Sequence, residues 1–166
     1  MKKSNAFRFT YLSGFILMAI LLGSAFFLQI HKGVSPCPLC LLQRLVMAVL
    51  GSIFLLGAIL RLKRWGNLFL GVSGLFTGAF GVLLAGRQVW LQVSPPGSSG
   101  DCGASLGYIL HVLSVKEAIK QVWQGGMECS QTGWEFFHLS LAAWSLIGFI
   151  ILFLLVILQL IRAAID

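Results

Sequence analysis

Four apolar runs, each about as long as a bilayer is thick, leave this chain few folds to choose from. A spanning helix needs roughly 20 mostly apolar residues. Residues 11–30 make one such run, without a charge. Residues 41–60 make a second, interrupted only by Arg44 near its start; residues 68–85 and 141–161 make the third and fourth. Hydrocarbon offers backbone amides no partner, so each run must close its own hydrogen bonds as a helix. The 166 residues are 58% hydrophobic and 10% charged, with mean hydropathy +0.92. Soluble chains carry about a quarter charged residues, so a soluble globule is excluded. The expectation is one integral membrane domain over residues 1–166, an all-α four-transmembrane-helix bundle. The first run exceeds the roughly 7–15 apolar residues of a signal peptide and no A-x-A site follows it, so it is read as a retained helix.

The net charge of +7 does not point to nucleic acid, because the basic residues are dispersed at the ends of the runs and form no stripe. Lys2, Lys3 and Arg8 precede the first run, Arg61, Lys63 and Arg64 fill the link between the second and third, and Arg162 follows the fourth. Basic residues flanking spans stay on the cytoplasmic side. Both termini are therefore expected in the cytoplasm, with loops of about 31–40 and 86–140 on the outer, periplasmic face. The third run carries small residues at Gly71, Gly74, Gly78, Gly81 and Ala85, spaced by three and four. Such a face lets membrane helices approach closely. In the second outer loop, Ser114 and Glu117 form a capping box. Val115, Ala118, Ile119, Val122 and Trp123 then share one face, and Gly125 and Gly126 end the segment. A short amphipathic helix lying on the lipid surface is expected there.

All four cysteines fall outside under this topology: Cys37 and Cys40 as Cys-Pro-Leu-Cys in the first loop, Cys102 and Cys129 around the loop helix. Outside thiols meet an oxidising compartment, so disulfides are expected. Four cysteines allow three connectivities. Local pairs, Cys37 with Cys40 and Cys102 with Cys129, are the first choice; a bond from Cys37 or Cys40 to Cys129 would tie the loops together instead. Cys102 and Cys129 alone fit a structural staple as well as a redox pair. Cys37 and Cys40 do not, because so small a ring removes little chain entropy, whereas C-x-x-C pairs serve thiol exchange. No metal is expected, since the second pair is spaced far beyond the two to four residues of zinc sites.

Pro is accepted in a first helical turn, which starts the second helix at about Pro38. Cys40 then lies among unpaired N–H groups at the positive end of the helix dipole. Arg44 follows four residues later on the same face. An arginine at a bilayer edge can simply snorkel. Beside a first-turn cysteine it also stabilises a thiolate, and any anionic oxygen that meets it.

The run Cys37-Pro38-Leu39-Cys40-Leu41-Leu42-Gln43-Arg44 resembles the signature of the disulfide bond formation protein B (DsbB) family. The resemblance continues through Gly86-Arg87-Gln88-Val89-Trp90-Leu91-Gln92, Pro95 and Pro96, and includes Cys102, Cys129 and Trp134. It covers nearly the whole chain. It implies a protein-disulfide oxidase of the bacterial inner membrane, coupled to ubiquinone or menaquinone. The implied partner is a soluble, DsbA-like periplasmic oxidase of thioredoxin type. By position, Cys102 would form the mixed disulfide with that partner and Cys129 would attack Cys37. Cys40 would face the quinone, with Arg44 near its oxygen. Two positions depart from the pattern: Gln43 stands where some members have an acidic residue, and Gln88 where a histidine often follows the arginine. Both weaken a proton relay through those places.

Two other functions fit the same plan. A vitamin K epoxide reductase-type enzyme is also a quinone-coupled helical bundle, but its C-x-x-C is expected late in the chain, whereas here it opens the second span. A structural or chaperone-like membrane protein with two stabilising disulfides would lack the visible charge-transfer band of a thiolate beside a quinone. His31, His111 and His138 have no named partner and stay unassigned. Trp65, Trp90, Trp134 and Trp144 fit interface belts; Trp134 could also wall a quinone site, on resemblance only.

Overall fold

The computed structural model describes residues 2–33, 37–60, 64–94 and 135–165. Helices α1 (Lys2–Lys32), α2 (Pro38–Ile59), α3 (Arg64–Val93) and α4 (Leu141–Ile165) make a four-helix membrane bundle. Each is long and apolar enough to cross a membrane. The helices outrun the apolar stretches that announce them. α3 continues past Ala85 to Val93, through residues expected in the outer loop. Its last two turns still bury Gln88 and Leu91 against the bundle while Trp90 points outward. Falling hydropathy there marks a change of surroundings rather than the end of the helix. The loop helix expected after Ser114, together with Cys102, His111, Cys129 and Trp134, lies outside the described residues.

α3 and α4 share the most extensive seam, followed by α1 with α2 and α2 with α3, and α1 meets α4 over a smaller area. The small stripe explains the first. Gly71, Gly74, Gly78 and Gly81 are buried, and a Cβ on them would meet Leu160, Val156, Phe153 and Phe149 in turn. The Phe149 ring occupies the space of a Gly81 side chain and is fully buried. The α1–α2 seam repeats the device: Gly14 receives Phe54, and Gly57 receives Tyr11. Lipid tails are as apolar as leucine, so close approach of helices supplies the attraction between them. Leu50, Phe54, Phe149 and Leu152 form the centre, while Phe69, Phe76, Leu83 and Leu154 face outward.

At the end opposite Cys37, arginines join the helices. Arg8 Nε donates to the Ala58 carbonyl at 3.2 Å, Arg64 Nη2 to the Ala164 carbonyl at 2.8 Å, and Arg162 Nη1 to Thr10 Oγ1 at 2.9 Å. Two of these acceptors are carbonyls in the last turns of α2 and α4, where cations are favoured. None of the four helices contains an Asp or Glu.

Ahead of α4, β1 (Glu135–Phe136) and β2 (Leu139–Ser140) pair antiparallel as a minimal hairpin. Its turn residues, Phe137 and His138, both have positive φ, 54° and 60°, the pattern of a type I′ turn. Ser140 then caps α4: its Oγ accepts from Ala143 N at 3.2 Å and donates to Gln92 Oε1 on α3 at 2.6 Å.

Candidate functional site

Cys37 ends the first connection in an extended conformation (φ −69°, ψ 162°) and serves as the N-cap of α2. Its sulfur accepts from Cys40 N at 3.4 Å, and its carbonyl accepts from Leu41 N at 3.1 Å. A thiol thus does what Ser or Asp does at most helix starts. Pro38 follows at the first helical position, where its missing N–H costs nothing. This geometry puts the Cys40 sulfur 2.9 Å from that of Cys37, a hydrogen-bond separation and longer than the about 2.05 Å of a disulfide. Both sulfurs sit at the positive end of the α2 dipole. Cys37 is buried, and Cys40 is partly open.

Arg44 lies one turn further along α2. Its Nη1 donates to Gln29 Oε1, its Nη2 to the Ala25 carbonyl at 3.2 Å, and the guanidinium stands 5.1 Å from the centre of the Phe26 ring. Every one of these partners is on α1. The arginine is therefore pinned across the α1–α2 seam by two hydrogen bonds and a cation–π contact, rather than left to snorkel.

Two glutamines complete the surroundings, neither of them expected to act. Gln43 and Gln88 are both buried. Gln43 Nε2 donates to Gln88 Oε1 at 2.6 Å, and Gln88 Nε2 donates to Cys40 Sγ at 3.0 Å and to Cys37 Sγ at 3.6 Å. One signal could have found Gln43: a polar side chain inside an apolar span is expensive and usually has a task; Gln88 lies beyond the third apolar run and carries no such signal.

Cys40, Gln43, Arg44 and Gln88 border a cavity of about 110 Å³ that also meets Gln29 of α1 and Trp144 of α4. An apolar cavity of about 150 Å³ admits benzene, so the space is of the order of one six-membered ring. Apolar walls with a few placed polar groups are the usual make-up of a small-molecule site. Among the described residues, Trp144 is the tryptophan placed at this wall. His31 stacks on Phe27 at 4.1 Å and stands near the Phe27 carbonyl, away from the sulfurs' partners. His138 occupies the hairpin turn. Of the six residues singled out for redox chemistry or packing beside it, the structure unites Cys37, Cys40 and Arg44; Cys102, Cys129 and Trp134 are outside the described residues.

Comparison with known proteins gives a consistent answer. The family model described as "Disulfide bond formation protein DsbB" matches residues 7–159. A curated relative from Xylella fastidiosa (strain 9a5c), named disulfide bond formation protein B, is 36% identical, covering 90% of this chain and 87% of its own length. Relatives of the same name from Nitrosococcus oceani and Methylobacillus flagellatus are 32% and 36% identical, covering 87% and 84% of this chain.

Proposed function

The chain belongs to the disulfide bond formation protein B family, a multi-pass membrane family named for making disulfide bonds, and on that premise we propose that it is a quinone-dependent protein-disulfide oxidase. In this reading Cys102 and Cys129 accept electrons from a DsbA-like dithiol partner and pass them to Cys37 and Cys40. The cysteines face the periplasm, the protein sits in the bacterial inner membrane, and both termini are cytoplasmic. The observation that carries the proposal is the C-x-x-C pair at the start of α2, with Cys40 opening onto a ring-sized cavity beside Arg44.

The donor set suits a quinone. A fixed guanidinium at the cavity edge matches an oxygen that gains negative charge, and the remaining lining is mostly apolar. Arg44 would hold that oxygen, Trp144 would wall the ring, and Cys40 would present its sulfur. A ubiquinone or menaquinone held there would supply a two-electron, two-proton acceptor, so that the Cys37 and Cys40 thiols could become one disulfide. That disulfide is then reduced by the Cys102 and Cys129 thiols, which the partner's dithiol has regenerated. Each exchange between one cysteine pair and the next is a thiolate attack on a disulfide sulfur through a mixed disulfide. The sum is one partner disulfide formed for each quinone reduced.

The test is anaerobic mixing of purified protein, reduced partner and quinone, followed by quinone absorbance. Stoichiometric loss of quinone that disappears in Cys40→Ser is the expected result. Partner oxidation without quinone loss would refute the coupling.

A further inference from the structure

Two buried amides are an odd thing to place against a redox pair in a membrane bundle. Each is costly to bury without a partner, and neither can take up or release a proton in the working pH range. Their hydrogen bonds run in one direction. Gln43 Nε2 donates to Gln88 Oε1 at 2.6 Å. That contact occupies the oxygen end of the Gln88 amide, so the nitrogen end must face the sulfurs. Gln88 Nε2 donates to Cys40 Sγ at 3.0 Å and to Cys37 Sγ at 3.6 Å.

We propose that Gln88 is a catalytic hydrogen-bond donor to the reacting sulfurs, and that Gln43 is the positioning residue that fixes which end of the Gln88 amide meets them. An amide is two-ended, and a flipped Gln88 would turn its electron-rich oxygen toward sulfur. A sulfur about to release electrons carries negative charge, and an N–H aimed at a charged acceptor is about twice as strong as a neutral contact. Gln43 prevents the flip from 45 residues away in sequence. The amides are unchanged at the end of the step: two thiols give up two electrons and two protons to the quinone, one S–S bond forms, and the protons leave without passing through either glutamine. This inference rests on the quinone reading above and adds the groups that steer its sulfurs.

The experiment compares Gln43→Met, Gln88→Met and the double variant in the purified full-length protein, with a short-chain ubiquinone as the probe. Melting in detergent checks folding. The rate at saturating quinone should fall about tenfold to a hundredfold for Gln88→Met, the weight of a hydrogen bond to a charged group. Gln43→Met should fall less steeply, with the quinone KM nearly unchanged in both. The thiolate–quinone absorption band should weaken in step. The double variant should be no slower than Gln88→Met alone, because Gln43 acts only through Gln88. Gln43→Glu replaces a donor by an acceptor that would draw the Gln88 nitrogen away, so it should be slower than Gln43→Met; this ordering decides the matter if Gln88→Met does not fold. Additive losses in the double variant, a change confined to KM, or equal rates for Gln43→Glu and Gln43→Met would overturn the proposal. A wild-type protein that reduces no quinone removes the underlying reading, and the inference with it.

Discussion

Arg44 brings a full charge to the rim of the bundle and is held there by Gln29, the Ala25 carbonyl and the Phe26 ring. Under the proposed function its charge is available to a quinone oxygen. Arg44→Met should therefore leave the bundle folded and raise the quinone KM by one to two powers of ten, the range of a charge-assisted contact of about 1.5–3 kcal/mol. Arg44→Lys should recover only part, because an ammonium lacks the planar fork that spans Gln29 and the carbonyl. Quinone titrations monitored by absorbance check both; unchanged kinetics would reduce Arg44 to a packing residue. A second expectation concerns the outer pair. Cys129→Ser should trap a mixed disulfide between Cys102 and a DsbA-like partner, since the resolving thiol is gone; mass spectrometry of the adduct identifies the cysteine involved, and an adduct through Cys40 would reverse the proposed order. The Cys37–Cys40–Arg44 group was legible in the sequence because proline marks the helix start and the remaining spacing is local. Gln29 and Gln88 were not legible. Their partners lie 15 and 45–51 residues away, and periodicity within one helix does not say which neighbour it will face.

Among the elements, the α3–α4 seam depends on the absence of side chains at four glycines. Gly81→Leu would push a branched side chain into the Phe149 ring, and overpacking of this kind costs about 1–3 kcal/mol. A lower melting temperature in detergent is expected, partly restored by Phe149→Ala. No restoration would mean that the seam tolerates the leucine by another route. The small stripe was evident from spacing alone, and so was the approximate start of α2. The end of α3 was not, because apolar content reports contact with lipid while helical hydrogen bonding continues beyond it. The hairpin ahead of α4 was equally hidden. A type I′ turn usually announces itself with Asn or Gly, and here Phe137 and His138 hold the positive φ values, with bulky Phe137 the rarer occupant.

For the whole molecule, three of the seven basic residues that suggested orientation, Arg8, Arg64 and Arg162, also join the helices at one end. A reporter fused after Asp166 should read cytoplasmic and one near Ser98 should read outside; the reverse pattern, or labelling of Cys102 only from the cytoplasm, would invert the proposed topology. The acceptors used by Arg8, Arg64 and Arg162 are two carbonyls and a hydroxyl, and the four helices hold no carboxylate at all. Acid denaturation works mainly by protonating carboxylates that are paired or hydrogen-bonded in the native state. Among the described residues, the contacts from one helix to another offer acid no such target, so those contacts carry no stability to be lost as carboxylates titrate. Helical circular dichroism should melt at nearly the same temperature at pH 4 and pH 7. Helix-to-helix contacts of this make-up are indifferent to acid, an asset under the proposed topology, in which the working face would meet whatever pH lies outside the cell.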